Sequence, residues 1–196
     1  MIVTITANKG GVGKTFSVCV LAETAAAAGE SVVVFDTDPQ RNAYSRLNDL
    51  LDGRVYATDG RKPDFKKLGV GDNDFVVIDT QRARESAAAR ESIKMADLVV
   101  IPVLTAEFAI EGMRETIEIC RLDNKPFLIL LTLPIRKSAV SKKEIQSLEK
   151  EFGDKLIEWP NLEKVSRNIA KREVFYKGLS DEQYDRFDTL YLTIKN

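Results

Sequence analysis

Residues 8–15 read Asn-Lys-Gly-Gly-Val-Gly-Lys-Thr, directly after the apolar run Ile2-Val3-Thr4-Ile5-Thr6. A strand that runs into a glycine-rich turn ending in Gly-Lys-Thr is a phosphate-binding loop. Its backbone N–H groups and the start of the next helix form a cradle for an anion. In that arrangement Lys14 reaches the β- and γ-phosphates of a nucleotide and the Thr15 hydroxyl sits on Mg²⁺, with Gly10, Gly11, Val12, Gly13 and Phe16 completing the binding segment. The general pattern has a glycine five residues before Gly13, where Asn8 stands, and a second lysine, Lys9, occupies the front of the loop. One lysine is enough for the phosphates of a bound nucleotide, so Lys9 needs another target. A glycine-rich turn that merely precedes a helix is the plain alternative; strand, loop and helix context together favour the phosphate loop.

Strands and helices alternate outward from this stretch. Thr15 to Ala28 is an alanine-rich helix ended by Gly29, a good C-cap residue, and Ser31–Phe35 is a continuous apolar run of the kind buried on both faces of a sheet. Helices are expected over Asn42–Leu51, Glu85–Met95, Phe108–Arg121, Val140–Phe152 and Leu162–Phe175, and one more in the tail from Asp181. Strands are expected near Arg54–Thr58 and over Phe75–Ile78, Leu98–Val103, Phe127–Thr132 and Leu156–Trp159. This order predicts an α/β fold of the P-loop type: a mostly parallel sheet with helices on both faces, in three layers, as one domain over residues 1–196.

In open α/β sheets ligands bind at the carboxyl ends of the strands, so acidic residues there are informative. Asp36 and Asp38 leave the second strand together in Phe35-Asp36-Thr37-Asp38-Pro39-Gln40; turn carboxylates are common after strands, but these adjoin a phosphate loop. Phe75-Val76-Val77-Ile78-Asp79-Thr80 is an apolar strand ending in Asp, the pattern in which the carboxylate holds Mg²⁺ through water. Gln81 follows; it either orients a water or caps the next helix, and the cap is the preferred reading.

Lys-Gly-Gly-x-Gly-Lys-Thr at 9–15, with Asp-x-Asp-Pro-Gln at 36–40, resembles the ParA/MinD family of ATPases. The resemblance is strong over residues 2–47, continues through 74–120 and fades after about 121. It implies ATP and Mg²⁺ as cofactors and an ATP-dependent homodimer in which Lys9 contacts the phosphates bound by the partner subunit. It further implies that Asp38 orients the attacking water, giving Lys9, Lys14 and Asp38 catalytic roles, and that Asp36 joins Thr15 and Asp79 around the metal. The family usually has Pro after Asp-x in the next segment, whereas Gln81-Arg82-Ala83-Arg84 stands here. Ala109 and Gly112 keep the family spacing in a helix that lies near the dimer interface in relatives; plain helix–strand packing explains them equally well. Adenine is expected near Thr132, Leu133 and Pro134, and no Asn-Lys-x-Asp guanine motif is present.

Composition narrows the chemistry. The 196 residues include no histidine, which excludes imidazole catalysis, ligation and pH switching. Cys19 and Cys120 are isolated, read as buried free thiols of a reducing cytosol, and count against iron–sulfur relatives. No apolar stretch approaches the roughly 18 residues of a membrane span, and the chain enters a strand at once, so a cytoplasmic protein without a signal peptide is expected. With a formal net charge of −1, DNA contact needs a local basic patch. Arg136, Lys137, Lys142, Lys143, Arg167, Lys171, Arg172 and Lys177 supply candidates, with Arg167, Lys171 and Arg172 spaced to share one helical side; a solvated helix face is the plain alternative.

The leading expectation is a small partition ATPase without an N-terminal helix-turn-helix domain, which binds non-specific DNA as an ATP dimer and is stimulated by a centromere-binding, ParB-like adaptor. The same machinery positioning another cargo (a conjugation complex, a carboxysome, a chemoreceptor cluster) is the alternative. A small-molecule synthetase of the same fold is opposed by Lys9 and Asp-x-Asp-Pro-Gln. A MinD-like membrane role is opposed by the tail, whose Asp181, Glu182, Asp185 and Asp188 would be repelled by anionic lipid.

Overall fold

The computed structural model describes residues 1–132, 139–160 and 163–196, side chains at 139–141 excepted. Seven strands form one parallel sheet in the order β3-β2-β4-β1-β5-β6-β7: β1 Ile2–Ile5, β2 Val32–Asp36, β3 Val55–Ala57, β4 Phe75–Asp79, β5 Leu98–Val103, β6 Phe127–Leu131 and β7 Leu156–Glu158. Among the described residues seven α-helices accompany them: α1 Lys14–Ala27, α2 Asn42–Leu47, α3 Ala87–Met95, α4 Glu107–Leu122, α5 Ala139–Phe152, α6 Glu163–Ala170 and α7 Asp181–Lys195.

The side-chain period of two sorts each strand between the faces. On one face Val3, Ile5, Val32, Val34, Phe75, Val77, Val100, Leu128 and Leu130 pack with α1, α2, α6 and α7. On the other, Val99, Ile101, Val103, Ile129 and Leu131 pack against α3, α4 and α5. Beside them, Val33, Phe35, Val76 and Ile78 are covered by Phe65, Leu68 and Val70 from the loop before β4. Both edge strands, β3 and β7, are only three residues long.

Helix α1 is buried from Ser17 to Ala25 because it lies against the sheet and also packs on α7, α2 and α6. Only small residues allow these neighbours so close, which is why it is rich in alanine. It ends as expected at Gly29, with φ 87, where Glu30 N donates to Ala25 O and Gly29 N to Ala26 O, a Schellman closure. Ser180 and Gln183 form a capping box at the start of α7. Phe187, Leu190, Tyr191 and Ile194 then bury its inner face, so the acidic tail packs on the rest of the domain. Among the described residues, no helix is long and apolar enough to cross a membrane.

Two helices end sooner than the sequence pattern suggests. α2 stops at Leu47, and Asp52 and Gly53 take left-handed conformations beyond it. α6 stops at Ala170 rather than running to Phe175. The buried Asn168 side chain donates to both Phe175 O at 2.9 Å and Lys177 O at 3.0 Å, and Arg172 turns to φ 56. A side chain gripping the main chain farther along pulls the backbone out of the helix.

A buried ion pair ties the α1 layer together. Arg46 of α2 lies 3.0 Å from Glu23 of α1. Arg46 also donates to Glu173 O, and Phe175 N donates to Glu23 Oε2 at 2.6 Å. Burial pushes the Glu23 carboxyl up to about 7 against the opposing pulls of Phe175 N–H and Arg46. An acid whose folded value lies above its unfolded one stabilises the fold below the unfolded value, and that contribution is lost as pH rises through the folded one. Wild-type thermal stability is therefore expected to fall between about pH 4.5 and 7 relative to Glu23→Gln, by about 3 kcal/mol in all. Parallel curves of melting temperature against pH for the two proteins would refute the assignment.

Candidate nucleotide site

β1 is central in the sheet, between β4 and β5, with β2 next beyond β4, so the loop that follows it opens beside the ends of these strands. Gly11 and Gly13 take φ 74 and 92, a region L side chains rarely adopt. Gly13 is the N-cap of α1 and no side chain caps it, nor is the first turn acidic; the free N–H groups and the helix dipole face the cavity. The Val12 side chain is buried in the core, and Val12 is not among the described residues that line the cavity. Beneath the loop, Thr132 Oγ1 donates to Val12 O at 2.8 Å. Thr132 thus supports the phosphate loop and is not among the described residues that line the cavity; Leu133 and Pro134 lie outside the described residues. Gly10, Gly11, Gly13, Lys14, Thr15 and Phe16 line a cavity of about 780 Å³ together with Asp38, Gln81 and Arg82. The Phe16 ring meets Trp159 edge-on, centroids 5.9 Å apart.

Strand register aligns the acids. Asp36 pairs with Asp79, and Asp79 with Ile5. Thr15 Oγ1 donates to Asp79 Oδ2 at 2.8 Å, while the buried Asp79 Oδ1 has no hydrogen-bond partner among the described residues. Burial, with the neighbouring Asp36 charge, pushes Asp79 up to about 7, opposed by the Thr15 hydroxyl and Lys14. A buried carboxylate with one oxygen unspent fits a cation or its water shell. Burial also lowers the Lys14 amine, opposed by Asp79 and Asp38. Asp36 is arranged differently from the expected metal-shell residue: Oδ1 accepts from Asp38 N at 3.0 Å and Oδ2 from Tyr44 N at 2.9 Å. It pins both ends of the segment that carries Asp38, which lines the cavity and whose Oδ1 accepts from Gln40 N at 3.0 Å.

Asn8 and Lys9 turn toward α4. Asn8 N donates to Thr116 Oγ1 at 3.2 Å, its Nδ2 to Glu115 Oε2 at 3.1 Å, and its Oδ1 accepts from Arg84 N at 2.9 Å. The departure from the general loop pattern thus clasps α4 and the segment after β4. Lys9 is not among the described residues that line the cavity. Its stem lies across Gly112, where an added Cβ would stand 2.5 Å from Lys9 Cγ.

The model of the CobQ/CobB/MinD/ParA nucleotide-binding domain matches residues 3–175. The chain belongs to this family. It is 27% identical to the chromosome partitioning protein ParA of Caulobacter vibrioides over 207 residues, covering 79% of this chain and 78% of that protein. It is 34% identical over 119 residues to the maintenance of carboxysome distribution protein A of Gloeobacter kilaueensis, covering 59% and 55%. Its fold matches that of a plasmid partition protein of Borrelia burgdorferi bound to AMPPNP, with TM-score 0.77, 19% identity and coverage of 99% and 98%.

Where the ParA/MinD pattern has Pro, this chain's segment takes a course that sequence reasoning missed. The cap of α3 is Ser86, whose Oγ accepts from Ala89 N; the helix begins at Ala87, two residues later than expected. Gln81 is therefore no cap, and with Arg82 it faces the cavity. Arg82 stood out by no sequence motif beyond its departure from that pattern.

Among the described residues the DNA candidates are divided between the two sheet faces. Lys142 and Lys143 are exposed on α5, which packs on one sheet face through Ile145 and Leu148. Arg167 is on α6, which packs on the opposite face through Val165. Lys171 and Arg172 lie beyond the end of α6, not on its side as the spacing suggested, and Arg172 donates to Ser45 Oγ at 2.8 Å. Lys177 pairs with Glu173 at 2.8 Å. Arg136 and Lys137 lie outside the described residues.

Substitution Lys14→Ala removes the charge that α1 presents to phosphate. It is expected to lower affinity for Mg²⁺-ATP by about 100-fold or more in isothermal titration, with the melting temperature little changed. Retained affinity would remove residues 8–15 from the binding site.

Proposed function

We propose that the protein is a ParA-type partition ATPase whose ATP-bound homodimer holds non-specific DNA and releases it on slow hydrolysis. The observation that carries the reading is the division of labour between two lysines. Lys14 faces its own phosphate cavity, while Lys9 is turned aside onto α4, where a second subunit is met in the family. A phosphate loop needs one lysine; an outward second one suits a nucleotide shared across a two-fold axis.

Phosphoryl transfer asks for positioning and charge neutralisation rather than covalent chemistry. Thr15 and Asp79 would hold Mg²⁺, which when bound offsets phosphate charge. Asp38, kept in the cavity by the Asp36-pinned turn, places water against the γ-phosphorus as the bond to the ADP oxygen breaks. Turnover is slow, of the order of 10⁻⁴ to 10⁻² per second without an activator, which suits a timer set by a ParB-like adaptor. Asp36 acts through the shape of this turn rather than through the metal. The similarity to a carboxysome distribution protein favours a second reading, in which the same cycle positions another cargo.

Binding to random-sequence duplex DNA with ATP, with ADP and without nucleotide, alongside light scattering, tests the proposal. A dimer that holds DNA only with ATP is expected; an ATP dimer indifferent to DNA would transfer the reading to another cargo. Lys9→Ala should bind ATP as a monomer and fail to dimerise, and Gly112→Ala, which displaces the Lys9 stem, should weaken dimerisation in the same direction; a normal dimer in Lys9→Ala refutes the cross-subunit role. Asp38→Ala should dimerise with ATP yet turn over about 100-fold more slowly or worse, and normal turnover would exclude Asp38. Each phosphate contact adds about −0.9 to the slope of log affinity against log salt. Arg167→Ala with Lys171→Ala should flatten that slope, and if Lys142→Ala with Lys143→Ala flattens it instead, the opposite sheet face holds the DNA.

A further inference from the structure

Arg82 stands three residues beyond Asp79, and its guanidinium lies over the front of the phosphate loop. Its Nη2 is 3.2 Å from where a Cβ on Gly10 would stand, with Nε and Cζ at 3.8 and 3.9 Å. Arg82 lines the same cavity as Gly11, Lys14 and Thr15, and so does Glu85. The base of the arm is fixed on both sides. Ala83 is fully buried, and Arg84 N donates to the Asn8 side chain at 2.9 Å. The tip is not fixed: Nη1 meets Glu85 Oε1 at 3.0 Å, in a pair whose side chains are 49% and 62% exposed. An exposed pair at this spacing is weakly held and readily exchanged. A phosphate offers a guanidinium two parallel acceptors and more charge than a carboxylate.

Resting on the nucleotide-site reading above, we propose that Arg82 is a phosphate-contacting residue of its own subunit's site, specific for the γ-phosphate. Glu85 is its resting partner, from which it transfers when a nucleoside triphosphate binds. The lack of a side chain at Gly10 gives the guanidinium its place against the loop. The γ-phosphate then draws the guanidinium away from Glu85 while the main chain of the segment stays in place, and a diphosphate leaves Arg82 with Glu85. Arg82 in this role is a catalytic residue, because it touches the phosphate that is transferred.

The test is equilibrium binding of Mg²⁺-AMPPNP and Mg²⁺-ADP, at protein concentrations where light scattering gives a monomer. The proteins compared are the wild type, Arg82→Ala, Arg82→Lys and Glu85→Gln. Arg82→Ala is expected to lose about tenfold or more in AMPPNP affinity while its ADP affinity stays within about twofold. Arg82→Lys should recover only part, because an ammonium cannot offer two parallel N–H groups. Glu85→Gln should bind AMPPNP more tightly and ADP unchanged. Equal losses for both nucleotides in Arg82→Ala, or no loss for either, would overturn the assignment. Failure of the wild type to bind either nucleotide would instead sink the nucleotide-site reading beneath it.

Discussion

The hydrogen bond from the Thr15 hydroxyl to Asp79, 2.8 Å long, joins the first turn of α1 to the end of β4. Its acceptor is a carboxylate almost wholly removed from water, directly beside a second one in the strand register. Two adjacent buried acids repel unless each is compensated. Asp36 is compensated by main-chain N–H groups. Among the described residues Asp79 has only Thr15, by a hydrogen bond, and Lys14, by charge, and one of its oxygens is left over. That imbalance gives the cavity its character: a site with positive N–H groups and Lys14 on one wall and an under-compensated acid on another takes a polyanion and a divalent cation together more readily than either alone.

Sequence showed most of this because the chemistry is local. A glycine-rich loop, a lysine and a threonine fall within eight residues, and Asp36, Asp38 and Asp79 end apolar runs that can only be buried parallel strands. Sheet and helix order followed from the same runs. What was hidden depends on side chains reaching across the chain. No periodicity indicates that Asn168 grips Phe175 and Lys177, so α6 read as five residues longer than it is. The spacing of Gly112 was visible, but its reason, the stem of Lys9, is more than a hundred residues away. Whether Lys142 and Arg167 share a surface depends on which side of the sheet each helix crosses. The position of Gln81 and Arg82 depends on Ser86 taking the cap.

The α1 layer shows how closely the site is wired to the body of the molecule. Phe16, the second residue after Lys14, meets Trp159, whose indole N–H donates to Phe187 O at 3.1 Å, and Phe187 packs on Phe175. Glu23, two turns along the same helix, holds Phe175 N and Arg46. The nucleotide end of α1, the helix that follows Asp38 and the approach to α7 therefore share one set of buried contacts. Close-packed interiors transmit strain from one such contact to the next.

The short edge strands bear on how the protein fails. Each outer strand offers three residues of free main chain, about 10 Å of template, too little to recruit an extended segment from another molecule while the fold is intact. The long apolar strands able to build a fibril, Val32–Asp36, Phe75–Asp79, Leu98–Val103 and Phe127–Leu131, lie inside the sheet with a partner on either side. Insoluble material must then arise from molecules that have opened, and its rate of appearance should follow the unfolded fraction rather than the amount of native protein in solution.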